Sequence, residues 1–245
     1  MTLFAVALVV GLFIGAVGVG GILLIPALHA LAPLSIQASM ATALFTFIFT
    51  GIAGTALFQR RGSIEWRLAV PLCAGGALFG AVGAWANARL DSRPLALMLA
   101  VLIVLAGVYT LFGGPERRAA AFAGRPRMQQ ALLFAIGAAT GFGSGLTGVG
   151  GPALAVPMMV LLGFPTLVAI GASQVVQIVA ALSGSVPHLA RGIVDLRLAA
   201  WLVLFEIAGV WLGVIVAHRV DARHLRRFVG VLCVVVGAGM LVRTI

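Results

Sequence analysis

The stretch Gly15-Ala16-Val17-Gly18-Val19-Gly20-Gly21 returns about 130 residues later as Gly145-Leu146-Thr147-Gly148-Val149-Gly150-Gly151-Pro152. Three glycines in four residues are poor material for a continuous helix, and proline follows at Pro26 or at Pro152 and Pro157. Yet both stretches lie inside long apolar runs, roughly 2–31 and 130–161. The pattern predicts two half-helices that meet at a glycine turn in an apolar setting. Pro152 suits the first residue of a new helix, where its missing N–H is no loss. Backbone left unpaired inside a membrane is tolerated only where it is buried in protein or lines a polar cavity. Free N–H groups at the start of the second half-helix, with the dipole behind them, would attract an anion. Close helix packing through small residues is the other reading of such glycines. Recurrence at one place in both halves favours a functional break.

The halves agree well beyond the glycines. At a shift of about 130 residues, Arg61-Gly62 meets Arg191-Gly192, Glu65 meets Asp195, and Arg67-Leu68-Ala69 meets Arg197-Leu198-Ala199. Arg89, Asp91 and Arg93 meet Arg219, Asp221 and Arg223, and Gly107 meets Gly237. Each half carries four apolar segments, roughly 2–31, 36–58, 67–88 and 94–113, then 130–161, 166–190, 198–217 and 225–243. The expected organisation is a first membrane repeat over 1–113, a basic polar linker over 114–128 and a second membrane repeat over 129–245.

Composition agrees. The chain has 245 residues, 62% of them hydrophobic and 9% charged, with a mean hydropathy of +1.18. A soluble domain runs nearer half apolar and a quarter charged, so one soluble globular domain is excluded. The expected fold class is an all-α polytopic membrane protein of about eight apolar helical segments. The formal charge of +10 does not indicate nucleic acid, because the arginines cluster in short loops between apolar segments. Cys73 and Cys233 lie in apolar segments without CxxC spacing and read as buried free thiols. His29, His188, His218 and His224 have no metal-ligand spacing and read as interfacial, so neither metal nor cofactor is expected.

Orientation depends on whether the first segment of each half crosses or turns back. If it crosses, the halves share one orientation and the arginines divide ten to six; if it is re-entrant, the halves are inverted and the division is eleven to five with the linker inside. The sequence leaves both open.

Polar residues within the apolar segments mark the candidate site. Segment two carries Gln37, Ser39, Thr42, Thr46 and Thr50; its counterpart carries Ser173, Gln174, Gln177 and Ser183. Ser173 and Gln177 share a helical face, and hydroxyls and amides can coordinate an oxyanion without fixed charge. The alternative is hydrogen bonding between helices. Gly18, Gly20, Gly21, Gly148, Gly150, Gly151, Thr42, Ser173, Gln174 and Gln177 form the expected substrate-binding set. Glu206 is the one charged side chain well inside an apolar segment, and its counterpart is Gly76. It is either a proton-coupling carboxyl or a packing acid. Arg61, Glu65, Arg191 and Asp195 at segment ends read as loop ion pairs that set topology, with gating as the other reading.

The repeated G-x-x-G-V-G-G motif and the paired loops Arg61-Gly62-Ser63-Ile64-Glu65-Trp66-Arg67 and Arg191-Gly192-Ile193-Val194-Asp195-Leu196-Arg197 resemble the sulfite exporter TauE/SafE family of bacterial permeases. The resemblance covers nearly the whole chain. It implies a multi-pass transporter of the bacterial inner membrane for sulfite, sulfonates or related sulfur-containing anions. Only the glycine motifs carry over as site residues. The expected partners are a small anion and the lipid bilayer, with no nucleic acid and with a homo-oligomer left open. A non-enzymatic role is expected. The rivals are an intramembrane redox or enzymatic protein, which would need paired cysteines or a nucleophile–base pair, and an assembly factor without transport activity.

Overall fold

A computed structural model describes residues 2–18, 20–112, 120–122, 124–219 and 222–244. Val19, residues 113–119 and 123 of the linker region, and Asp221 lie outside the described residues, as do the side chains of His218, Arg223, His224 and Arg226. All the regular secondary structure of the described residues is helical. The elements are α1 (Thr2–Val17), a 3₁₀ turn (Gly20–Leu23), α2 (Leu24–Leu31), α3 (Ile36–Arg60), α4 (Trp66–Asn87), α5 (Ser92–Phe112), α6 (Pro126–Thr147), α7 (Gly151–Leu161), α8 (Thr166–Ala190), α9 (Leu196–Arg219) and α10 (Ala222–Thr244).

Local chemistry sets several boundaries. Ser35 caps α3 by accepting from the Ala38 N–H at 3.1 Å. The Asp195 carboxylate does the same for α9, accepting from Leu198 N–H at 2.9 Å. The two Arg-Gly pairs are helix stops. Gly62 (φ 67°) and Gly192 (φ 65°) take the left-handed conformation just past α3 and α8. Gly62 N–H donates to Gln59 O at 3.0 Å and Ser63 N–H to Phe58 O at 3.0 Å, which closes the carbonyls of the last turn.

Both glycine-rich runs break their helices, and in each case the chain turns back. A Cβ on Gly20 would collide with Phe13 and lie 2.7 Å from the Val10 carbonyl oxygen. On a straight helix those positions would be about 15 Å apart. Val6 also shares one groove with Pro26, Ala27 and Ala30, so α2 returns beside α1. In the other half, Leu132 and Ile136 share a groove with Met158 and Leu161, and Ala121 N–H donates to Leu162 O at 2.7 Å. Leu132 and Leu161 would be about 43 Å apart on a continuous helix. In each half the first segment therefore folds back on itself as a helical hairpin.

Glycine contacts give the directions of the remaining helices. α1 runs parallel to α9: a Cβ on Gly11 would lie 2.8 Å from Glu206 Cα, and one on Gly15 3.0 Å from Val214 N. α4 runs parallel to α6 in the same manner, Gly75 meeting Ala138 N at 2.5 Å and Gly83 meeting Leu146 N at 2.9 Å. α3 and α8 are antiparallel, Gly54 meeting Gln174 and Gly184 meeting Leu44 Cδ2 at 2.9 Å. α5 and α10 are antiparallel as well, Gly107 meeting Cys233 and Gly237 meeting Val104. Directions therefore alternate along the chain. α1, α3, α5, α7 and α9 point one way, and the even-numbered helices point the other.

Five of these helices are long and apolar enough to cross a membrane among the described residues: α3, α4, α5, α8 and the Leu196–Val216 part of α9. The sequence expectation was about eight segments. In the first half the glycine break limits α1 to Thr2–Val17; α6 (Pro126–Thr147) is long enough but is not among the apolar spans, and among the described residues the apolar part of α10 is Gly230–Val242. Large apolar side chains such as Leu78, Leu105, Leu204 and Val235 lie exposed on the outside of the bundle, as lipid contact requires.

Candidate functional site

The two breaks meet in the middle of the bundle. A Cβ on Gly18 (φ 82°) would lie 3.5 Å from Pro152 Cβ and 3.2 Å from Val156 Cγ2, both on α7. The first break continues as a tight 3₁₀ turn before α2, whereas α7 starts at once with Gly150 as its cap residue and Pro152 in its first turn. Gly148 (φ 71°) is wedged against the α3 backbone, where a Cβ would come 2.6 Å from Met40 Cα.

Between the breaks stands Phe47 of α3. Cβ atoms on Gly21 and Gly150 would lie 2.9 and 3.2 Å from its ring. Gln177 of α8 closes the same space: Gly150 would meet its Oε1 at 3.2 Å and Gly151 its Cα at 3.0 Å. The Gln177 amide donates to Phe47 O and to Thr50 Oγ1, both at 2.9 Å, which ties α8 to α3. Gln174, one turn away, donates from Nε2 to Ile14 O at 3.4 Å on α1, and its Oε1 has no partner. Glu206 of α9 is fully buried. Thr46 Oγ1 lies 3.2 Å from its Oε1, while Oε2 has no partner. Thr46 also lies 2.9 Å from the Ala43 carbonyl, so two acceptors compete for one hydroxyl hydrogen.

The other expected residues are placed elsewhere or engaged differently. Thr42 Oγ1 accepts the Asp195 backbone N–H at 3.1 Å, which puts it at the junction entering α9 rather than between the breaks. The Ser173 hydroxyl donates to Ile170 O at 2.7 Å within its own helix. Arg61 donates to Val214 O at 3.0 Å, and Arg191 donates to Pro187 O at 3.3 Å and meets His188 Nδ1 at 3.0 Å. These contacts, with Asp195 acting as a helix cap and Glu65 making no side-chain cap bond, differ from the expected loop ion pairs. His188, expected at an interface, is fully buried because the last turns of α8 pack against Gly145 and Leu44.

Sequence reasoning missed Phe47, whose aromatic ring in an apolar segment carries no signal of its own. It also passed over Asn87, Thr140 and Ser144, all buried. The side chains of Gln174, Gln177 and Glu206 are at most 1% exposed.

These features define a class: a helical membrane protein in which two helices broken at glycine-rich turns meet beside buried polar side chains. The chain belongs to the sulfite exporter TauE/SafE family, which it matches over residues 3–240. It is 24% identical to the "Probable membrane transporter protein YunE" of Bacillus subtilis (strain 168), covering 97% of each chain. It is 25% identical to the "Probable membrane transporter protein YdhB" of the same organism, over 87% of this chain and 88% of that one. A "Probable membrane transporter protein" of Xylella fastidiosa (strain 9a5c) is 28% identical over 75% of this chain and 72% of its own length. No solved structure matches the chain. The family is one of membrane transporters, and this chain is a member of it.

Proposed function

We propose that the protein moves a small anion, of the sulfite or sulfonate class, by alternating access around the paired glycine breaks. The observation that carries this is the meeting of Gly18 with α7 beside Gln177, among fully buried side chains. Backbone N–H groups at the start of α7 point a helix dipole at that space, and the Gln174 and Gln177 amides can bind oxyanion oxygens without a fixed charge. Gly18, Gly20, Gly21, Gly148, Gly150 and Gly151 leave room for the backbone to approach the anion.

In this reading 1–113 and 129–245 are inverted copies joined by 114–128. Support comes from the antiparallel pairing of α3 with α8 and of α5 with α10, which are counterparts at the 130-residue shift. Phe47 and Gln177 are also counterparts, so their contact lies on the pseudo-twofold axis. Rocking one copy against the other would expose the centre to each side in turn. At the end of the bundle where α5 finishes and α6 starts, the sequence carries eleven of the sixteen arginines, which supports a cytoplasmic position for that end in a bacterial inner membrane. Glu206 carries the coupled proton. With that proton in place, Glu206 donates to Thr46 Oγ1 and Thr46 donates to Ala43 O, so each hydroxyl hydrogen has one acceptor.

The test is a thermal-shift screen of purified protein against sulfite, methanesulfonate, taurine, sulfate, acetate and chloride. Selective stabilisation by sulfur oxyanions is expected. Selective stabilisation by acetate or chloride would overturn the substrate class.

A further inference from the structure

α4 and α6 run parallel and start level with one another at the arginine-rich end of the bundle, and each has an arginine as its second residue, Arg67 and Arg127. Neither first turn holds an acid. A cation there has the wrong sign for the helix dipole, which favours an anion at a helix start. Glu65 precedes α4 but makes no side-chain cap bond. Neither guanidinium has an ion pair or a hydrogen bond among the described residues. Both open onto one groove of about 750 Å³ between the two helices. Gln130 joins them at its polar end, and Val70, Pro71, Ala74 and Phe134 line the rest. Ala74 and Phe134 lie about 10 Å further along their helices than Arg67 and Arg127. Trp66 also lines the groove, its indole N–H donating to Gln59 Oε1 at 3.0 Å. A tryptophan beside arginines at the end of an apolar helix marks the depth where headgroups meet acyl chains.

We infer that this groove binds one anionic phospholipid, its phosphate held by Arg67 and Arg127 and its glycerol and upper acyl chains laid over Val70, Pro71 and Phe134. The chemistry of the lining selects the occupant. Guanidinium and amide groups donate to phosphate oxygens, and two helix starts add their dipoles. The polarity of the groove falls in the same direction as that of a phospholipid, from charged head to hydrocarbon. Its volume lies within the range of about 300–1,000 Å³ typical of pockets for small ligands. Glu65, the acid nearest in sequence, does not line it. A zwitterionic choline headgroup would bring a quaternary ammonium against the arginines, so the groove distinguishes headgroups by charge. The lipid site stands whether or not the centre of the bundle carries an anion.

The other half shows that the fold does not require such a groove. At the 130-residue shift the parallel pair α4 and α6 recurs as α9 and α1. There the Asp195 carboxylate caps α9, accepting from Leu198 N–H at 2.9 Å, so a negative charge already sits at that helix start. Pro71 and Ala74 correspond to Trp201 and Leu204, and Phe134 corresponds to Phe4. The Phe4 and Trp201 rings are 6.4 Å apart, and Phe4 stacks on Phe205 at 5.0 Å. Aromatic rings therefore bridge α1 and α9 where the groove runs between α4 and α6. The two pairs share a backbone plan, and only the α4–α6 pair combines small residues with uncompensated arginines.

The test is native mass spectrometry of the full-length chain in detergent, titrated with phosphatidylglycerol or phosphatidylcholine. Phosphatidylglycerol should be retained at one molecule per chain and phosphatidylcholine should not; equal retention of the two overturns the site. Each arginine removed should weaken the lipid about fivefold, so Arg67→Gln combined with Arg127→Gln should lose about tenfold or more. Pro71→Trp, which copies the bridged helix pair and keeps both arginines, should lose about fivefold. Arg197→Gln, at the equivalent place in the other half, should bind as the wild-type chain does. Unchanged affinity in either of the first two variants, or an equal loss in Arg197→Gln, overturns the site. Inorganic phosphate at the lipid's stabilising concentration should leave the melting temperature unchanged; an equal shift would make free phosphate the ligand and overturn the lipid. A dimer that survives delipidation and takes no lipid would give this face to a second copy and overturn it too. Should the variants fail to insert, the wild-type chain in liposomes with a photoactivatable phosphatidylglycerol reads the same point. Adducts should concentrate in 66–74 and 127–134, and an even spread over the lipid-facing helices overturns the site. No readout here uses flux, so failure of the lipid site and failure of the transport reading are told apart.

Discussion

Replacing Gly148 with alanine, beside the same change at Gly192, separates the break from an ordinary glycine stop. Both residues hold positive φ, 71° and 65°. An L-residue forced into that region loses about 1–2 kcal/mol. At Gly192 nothing lies within 4 Å of the new methyl, so this strain is the whole effect. At Gly148 the methyl would come 2.6 Å from Met40 Cα and 2.7 Å from Met40 Cβ. Those atoms belong to a helix backbone and cannot rotate away. Ordinary carbon contacts sit at about 3.5–4 Å, so α3 or the tip of α6 must shift, and overpacking of this kind costs about 1–3 kcal/mol more. At about 2–4 °C per kcal/mol for a chain of this size, Gly148→Ala should melt about 2–12 °C below Gly192→Ala. The assay is thermal unfolding of detergent-purified protein, followed by anion flux on the same preparations. Equal melting temperatures would mean that Gly148 does not press on α3, and the geometry of the break would be wrong.

Other perturbations follow from single contacts. Glu206→Gln keeps the shape and the Thr46 contact but cannot carry a proton. Flux under a pH gradient should lose its pH dependence, where one proton per anion would support about tenfold accumulation per pH unit; retained dependence, measured with a pH-gradient flux assay, would remove Glu206 from coupling. Gln177→Leu removes both donations to α3 and should lower stability by about 1–3 kcal/mol while abolishing the anion-induced thermal shift. An intact shift in that variant would exclude the amide from binding. Cysteines at Leu132 and Leu161 should be joined by a short bifunctional thiol reagent, since the two residues line one groove. No cross-link, detected by mass spectrometry after digestion, would count against the helical hairpin.

Much of this was legible in the sequence, and the rest failed for identifiable reasons. Dense glycine followed by proline located both helix breaks, and Pro152 stands in the first turn of α7, one residue after Gly151 opens it. Local chemistry could not say whether the chain kinks or reverses, because glycine permits either. The contact of Gly20 with Val10 and Phe13 decides it, and that is a tertiary fact. The Arg-Gly loops drew notice for their charges, yet the glycine is what the backbone uses there, as the left-handed stop after α3 and α8. Thr42 shares its helix with Thr46 and Thr50, but it lies nearer the α3 start and meets the Asp195 backbone instead. Hydropathy could not foresee that His188 would be buried, since the cause is its packing partner across the bundle.

The most direct test of the anion site at the glycine breaks is sulfite flux in proteoliposomes, comparing the wild-type chain with Gly20→Leu and Gly150→Leu. A leucine at Gly20 would collide with Phe13, and one at Gly150 would fill the space between Phe47 and Gln177. The account predicts saturable flux for the wild-type chain, and none for either variant although both insert into the membrane. Unchanged flux in both variants would contradict it.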